Sequence, residues 1–255
     1  MEESNKKSSM RDTFESLVVT VILAIFGTTF VLQAFKIPTG SMENTLLIGD
    51  HLLVNKFIFA PQGGVLAHLL PYRDLRRGDV IVFKFTPTDE QTEPGEHFVK
   101  RVIGVPGDRI RIFHRQVFVN EQPQTEPYVR HDPAYVGELR PGDDFPPPDT
   151  EYLPGATTAW NAEIGGFIHN GELIVPPGNY FVMGDNREQS WDSRFWGFVS
   201  RSAVIGRPVL IYWSFETPRD EYLHNSLSDR LSQIVDLIIH FPTKTRWRRT
   251  LMFVR

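Results

Sequence analysis

Two stretches of this chain carry residue types that could do covalent chemistry together. One is Ser41 in Pro38-Thr39-Gly40-Ser41-Met42; the other is Lys100 in Phe98-Val99-Lys100-Arg101-Val102-Ile103. A serine hydroxyl is a weak nucleophile until a neighbouring base takes its proton. Histidine is the usual base, but the eight histidines are scattered without motif context, and no Gly-x-Ser-x-Gly elbow occurs. His-Glu-x-x-His is absent, which argues against zinc proteolysis; the lack of any cysteine excludes a thiol nucleophile, thiolate metal sites and a disulfide scaffold. No metal and no cofactor is expected. Ser4-Asn5-Lys6-Lys7 matches Ser-x-x-Lys, but without the companion Ser-Asp-Asn and Lys-Thr-Gly boxes it reads as chance.

Lysine serves as a base only when neutral. From an ordinary pKa of ~10.4, deprotonation at pH 7 costs about 4.6 kcal/mol, which burial in apolar surroundings can offset. If residues 98–103 form a strand, Phe98, Lys100 and Val102 share one face and Arg101 turns to the other. Lys100 then has apolar neighbours and no adjacent carboxylate. Lys84, beside Val82 and Phe85, satisfies similar criteria, so periodicity does not choose between the two lysines. Ser41 could equally cap a helical turn ahead of Met42-Glu43-Asn44. Gly40 permits a sharp turn that brings an amide close to a bound carbonyl.

The elements that position Ser41 begin with Leu17–Phe35, 19 residues without a charge. As a helix this run spans roughly 28 Å, close to the ~30 Å hydrocarbon core of a bilayer. A cleaved secretory signal would have a shorter apolar core and a small-x-small site, which Ala34-Phe35-Lys36-Ile37-Pro38 does not supply. A buried core helix would show a polar stripe, and only threonine and one glutamine are present. Lys6, Lys7 and Arg11 lead the run and Lys36 alone trails it, which predicts a cytoplasmic N-terminus with everything after residue 36 outside. The organisation expected is a cytoplasmic segment 1–16, a transmembrane helix 17–35, an extracytoplasmic catalytic domain 36–220, and a C-terminal region 221–255.

Beyond residue 36 short runs rich in β-branched and aromatic residues follow closely: His51–Asn55, Asp79–Phe85, Phe98–Ile103, Arg109–Phe113, Gln116–Val119, Glu172–Val175, Tyr180–Met183 and Val209–Trp213. Gly-Asp, Pro-Gly and Asn-Glu pairs punctuate them. The fold class predicted is mainly β, with antiparallel sheets forming a sandwich or barrel-like body. Residues 121–165 interrupt the rhythm, holding eight of the chain's 19 prolines, and read as an extended, peripheral insertion. In the tail, Leu227, Leu231, Ile234, Val235 and Ile238 fall on one helical face, with Asp229, Arg230, Gln233 and Asp236 opposite. Lys244-Thr245-Arg246-Trp247-Arg248-Arg249 follows. This helix either packs on the domain with a solvated basic end or makes a second, interfacial contact with anionic lipid. A net charge of −4 gives no reason to expect nucleic acid as a partner.

Four blocks in order behind the apolar run resemble bacterial type I signal peptidase, a membrane-bound serine protease with a Ser–Lys dyad that removes signal peptides from exported proteins. They are Ile37–Met42, Gly78–Lys84, Lys100–Asp108 and Gly184–Val199. The proline-rich insertion and the tail lie outside the match. The resemblance implies that Ser41 is the nucleophile and Lys100 the general base. It implies an oxyanion hole formed by the Ser41 amide and the Thr39 hydroxyl, and a Ser190 hydroxyl that holds the lysine amine. Asp192 and Arg194 become a supporting ion pair, and Asp185 and Arg187 look structural. Shallow apolar subsites lined by Ile37, Met42, Phe98 and Val99 would admit alanine-sized side chains ahead of the cut. The partners implied are preprotein signal peptides, membrane lipid and the protein translocation machinery; the location implied is the bacterial inner or plasma membrane, in a single pass. Many relatives carry two spans where this chain shows one. Alternatives are a self-cleaving repressor, which would need a DNA-binding domain where the apolar run stands, a processing peptidase dedicated to one surface protein, and an inactive membrane-tethered β scaffold.

Overall fold

The computed structural model describes residues 2–27, 31–59, 73–85, 95–133, 140–147, 152–219 and 226–254. Helix α1 (Glu2–Phe26) leads into two antiparallel sheets. The larger sheet has the order β1 (Leu32–Lys36), β2 (Asp50–Asn55), β12 (Val204–Ser214), β3 (Val80–Lys84), β4 (His97–Gly104), β10 (Asn179–Met183) and β11 (Val199–Ser200), with β13 (Met252–Phe253) also on β12. The smaller has the order β7 (Gln122–Pro123), β6 (Gln116–Val119), β5 (Arg109–Phe113), β9 (Glu172–Ile174) and β8 (Ile168–His169). The mainly antiparallel β body matches the expectation. Two short helices, α2 (Thr158–Glu163) and α3 (Ser193–Trp196), and a longer one, α4 (Leu227–Lys244), complete it.

Alternation along the strands explains how the sheets divide the core. In β5 and β6, Ile110, Ile112, Val117 and Val119 point into one apolar cluster while Arg109 and Arg111 stay exposed. Strand β3 is buried on both faces: Ile81 and Phe83 enter a second cluster, Val80 and Val82 a third. That continuous apolar run is what a central strand requires. Strand β4 pairs with β3 from Val80↔Arg101 to Lys84↔His97, so it is central too, and its Lys100 and Arg101 are both drawn inside.

The first departure from the sequence reading concerns the apolar run. The helix ends at Phe26, and Leu32–Lys36 is strand β1, paired with β2 over five residue pairs. Residues 28–30 of the expected 17–35 span lie outside the described residues. Backbone groups that sheet pairing satisfies need no helix, and β2 offers five partners. Among the described residues no helix is long and apolar enough to cross a membrane. On α1, Leu17, Ile22, Leu23, Ile25 and Phe26 are all more than half exposed.

The second departure is the insertion. Far from peripheral, it supplies Phe145, Leu153, Trp160 and Ile164 to the first cluster, where they pack with Phe181 and Met183 of β10. Thr157 caps α2 through the Trp160 amide, and Trp160 Nε1 donates to the Arg194 carbonyl at 3.1 Å. The prolines are scattered through residues 123–154, yet Phe145 among them and Trp160 after them are core. Residues 134–139 and 148–151 of the insertion are outside the described residues.

Candidate active site

The Ser41 and Lys100 side chains, 59 positions apart in sequence, meet: Lys100 Nζ donates to Ser41 Oγ at 2.7 Å. Ser41 sits in a single 3-10 turn, Gly40–Met42, whose Met42 is locked in the third cluster. Two contacts with the loop after β10 hold that turn. The Asn186 amide donates to the Ser41 carbonyl at 3.1 Å, and Asn186 Nδ2 donates to the Gly40 carbonyl at 3.1 Å. The approach is so close that a Cβ on Gly184 would lie 2.4 Å from the Ser41 carbonyl oxygen and 2.5 Å from Ser190 Cβ. Only glycine fits there.

Lys100 is 4% exposed, with its amine 5.8 Å from the centre of the Phe98 ring. Burial lowers its ammonium from the ordinary value of 10.5 to about 8, and the Arg194 guanidinium adds to that fall. Asp192 and Asp185 pull the other way. No carboxylate stands on Lys100's own strand, as expected, but Asp192 and Asp185 lie within its electrostatic range, brought there by the loop after β10. Lys84 stands exposed at the end of β3. Of the two lysines that alternation left open, Lys100 is the one that meets Ser41.

Asp192 and Arg194 form the ion pair the resemblance implied, at 2.9 Å and almost fully buried. Burial raises the Asp192 carboxyl, but Arg194, Lys100 and the Gly184 amide together hold it below the usual carboxylate range. Asp192 also caps α3 and accepts from the Gly184 amide at 3.0 Å, so one carboxylate acts both on the Lys100 amine and on the glycine that packs on Ser41. Ser190 is buried beside Gly184, but its Oγ has no hydrogen-bond partner. The expected bond from Ser190 to the lysine amine is thus not made in this state; the amine's hydrogen bond goes to Ser41. Thr39 is exposed, extended at φ −127°, and makes no capping bond through its hydroxyl.

The four residues expected to line substrate subsites divide. Ile37 and Met42 are buried in the third cluster, with Val99 packed half-buried against it. Phe98 sits with the second cluster, stacked on Phe85 at 4.7 Å. Strand alternation is the reason: Phe98 and Val99 must face opposite ways.

The acidic residues of the matched blocks take arginines, and apart from Arg194, expected for Asp192, these partners went unread in the sequence. Arg101 makes a two-pronged pair with Asp185 at 2.7 and 2.8 Å and stacks on Tyr128 at 3.8 Å. Asp79 pairs with Arg73, Asp108 with Arg77, and Arg187 with Glu126. Glu43, two residues after Ser41, is buried and bound by Arg130 from the insertion and by Arg219. Apart from Arg73 and Asp79, six residues apart, such pairs join residues tens of positions apart and leave no periodic trace.

A hydroxyl hydrogen-bonded to a buried amine of lowered pKa is the arrangement by which a serine hydrolase dispenses with histidine. On an antiparallel β body this defines the class: a hydrolase with a Ser–Lys pair. The comparisons make it particular. The pattern described as "Signal peptidase, peptidase S26" matches residues 10–213, and the chain belongs to that family. It is 34% identical over 213 residues to a probable signal peptidase I-2 of Synechocystis, covering 83% of this chain and 77% of that one. Signal peptidase I of Pseudomonas aeruginosa is 29% identical over 250 residues, covering 88% and 80%. That of Aquifex aeolicus is 30% identical over 240 residues, covering 82% and 86%. A signal peptidase I crystal structure from Enterococcus faecalis aligns with 28% identity and a TM-score of 0.35, covering 53% of this chain and 97% of that one. The protein is a serine endopeptidase that cleaves signal peptides from preproteins. Neither the dedicated processing peptidase nor the inactive scaffold gains support.

Proposed function

We propose that Ser41 attacks the scissile carbonyl while Lys100 takes its proton. The 2.7 Å contact between Lys100 Nζ and Ser41 Oγ carries this reading. Collapse of the tetrahedral intermediate returns a proton from Lys100 to the leaving amine and leaves an acyl ester on Ser41. Lys100 then deprotonates the water that hydrolyses the ester. The Ser41 amide and the Thr39 hydroxyl receive the oxyanion, each worth about 2.7–4 kcal/mol if it resembles comparable donors. Ser190, with a buried unpartnered hydroxyl, holds the amine as Lys100 turns from the serine to the leaving group. Asp192 and Arg194 position Lys100 and Gly184. Cleavage follows small side chains, received where half-buried Phe98 and Val99 flank Lys100 and not at Ile37 and Met42, which are buried in the third cluster.

The exposed apolar face of α1 supports tethering to the bacterial inner or plasma membrane, N-terminus inside and catalytic body outside, where translocated preproteins emerge. Lipid is then a partner, and the translocation machinery a further one. The test is incubation of the detergent-solubilised chain with a preprotein bearing alanine before the cut. Ser41→Ala and Lys100→Ala should each abolish cleavage and leave the fold intact. Retained cleavage in Lys100→Ala, with loss in Lys84→Ala, would overturn the assignment of the base.

A further inference from the structure

Helix α4 is set on the body the wrong way round for water. Its polar residues Asp229, Arg230, Gln233, Asp236 and Lys244 line a cavity of about 650 Å³ beneath the helix, together with Lys36 and His51. Apolar residues outside that lining face outward: Leu231 is 65% exposed, Val235 53%, Ile238 71% and Ile239 63%. Helices of water-soluble bodies turn the apolar stripe inward, since each large aliphatic side chain gains about 1.5–3 kcal/mol on burial. The helix is not loosely placed. A capping box at Ser226 and Asp229 starts it, and Asp236 ties to Lys244 at 2.7 Å and His240 at 2.8 Å.

We infer that the outward face of α4 lies in the interface of an anionic bilayer, as a second contact beside α1. Three observations select lipid over a protein partner or a second copy. The cavity under α4 is lined by Lys36, the last residue of β1, the strand into which the chain of the exposed apolar α1 leads. The exposed ring of Trp247 stands at the C-terminal end of the face, edge-on to Phe241, with its Nε1 donating to the Pro242 carbonyl; this is the amphipathic placement of an interfacial tryptophan. Arg230 lines the cavity with Asp229, which leaves Arg248, next to Trp247 in sequence, as the exposed cation away from the cavity among the described residues 226–254. The other cations of the tail turn inward: Lys244 to Asp236, Arg246 to the Ile48 and Phe215 carbonyls, Arg249 to Asp50. The contact is therefore chiefly apolar, with Arg248 toward lipid phosphate. It does not depend on the peptidase reading.

Because the chain has no cysteine, single cysteines can carry spin labels in the otherwise unaltered protein. Ile238→Cys and Gln233→Cys would be labelled in the full chain, reconstituted in vesicles of phosphatidylcholine with phosphatidylglycerol. Collision with a water-soluble nickel chelate should be lost at 238 and kept at 233, while collision with oxygen rises at 238. Equal nickel access at the two positions overturns the inference. So does dipolar broadening at 238 that disappears on dilution with unlabelled protein, since it would place a second copy on this face. In vesicles of phosphatidylcholine alone the label at 238 should regain nickel access in part; unchanged shielding there would overturn the role given to Arg248.

Discussion

Replacing Lys100 with methionine should make the protein more stable and inactive at once. Burial sets the folded value of the Lys100 ammonium at about 8, against 10.5 in the open chain. The folded state is the weaker proton binder, so stability rises with pH between these values, and the penalty is present in full below about 8. At pH 7 the difference in ionisation free energy is about 3 kcal/mol; by pH 10 it falls below about 1 kcal/mol. Methionine fills the same volume and carries no charge. Loss of the hydrogen bond to Ser41 returns about 1 kcal/mol, which leaves Lys100→Met more stable by about 2 kcal/mol at pH 7 and level with the parent near pH 10. Urea unfolding of the solubilised full chain at the two pH values, with cleavage of a preprotein followed in parallel, measures both effects. A variant no more stable than the parent at pH 7, or a gain equal at both pH values, would refute the reasoning. The lysine would then not be a desolvated cation held at a cost for catalysis.

Three further outcomes follow from the same geometry. The acid limb of kcat/KM should rise about tenfold per pH unit and bend near pH 8, the value burial gives Lys100; a bend near 10.5 would mean a solvated amine. Ser190→Ala removes a hydroxyl with no partner in the resting state, so stability should change by less than about 0.5 kcal/mol in urea unfolding, while kcat falls about tenfold from the lost hold on the amine. Gly184→Ala would drive a methyl group to 2.4 Å from the Ser41 carbonyl, costing about 1–3 kcal/mol of stability and, by displacing the nucleophile, about a hundredfold or more in kcat. Wild-type turnover in that variant would show that the contact between the two loops does not position Ser41.

Most of the strands were legible in the sequence, and so were Ser41, Asp192 and Arg194 as candidates, because each lies in a short run where backbone turns and side-chain type are fixed locally. Strands such as Arg109–Phe113 are legible because one face is buried and alternation records it. What alternation could not decide was which lysine: Lys84 and Lys100 have similar neighbours in sequence, and only the pairing of β4 between β3 and β10 buries one and leaves the other in solvent. Likewise an uncharged run from Leu17 to Phe35 says that apolar surroundings are needed, not whether helix or sheet supplies them; the pairing with β2 turned its last residues into a strand. The insertion read as peripheral because prolines mark breaks in hydrogen bonding, whereas Phe145 and Trp160 are placed by the core they fill. The amphipathic period of α4 was plain, but periodicity defines two faces and not which one looks outward. That direction, like the arginine partners of Asp185 and Glu43, belongs to contacts between residues far apart in the chain, where no local pattern is written.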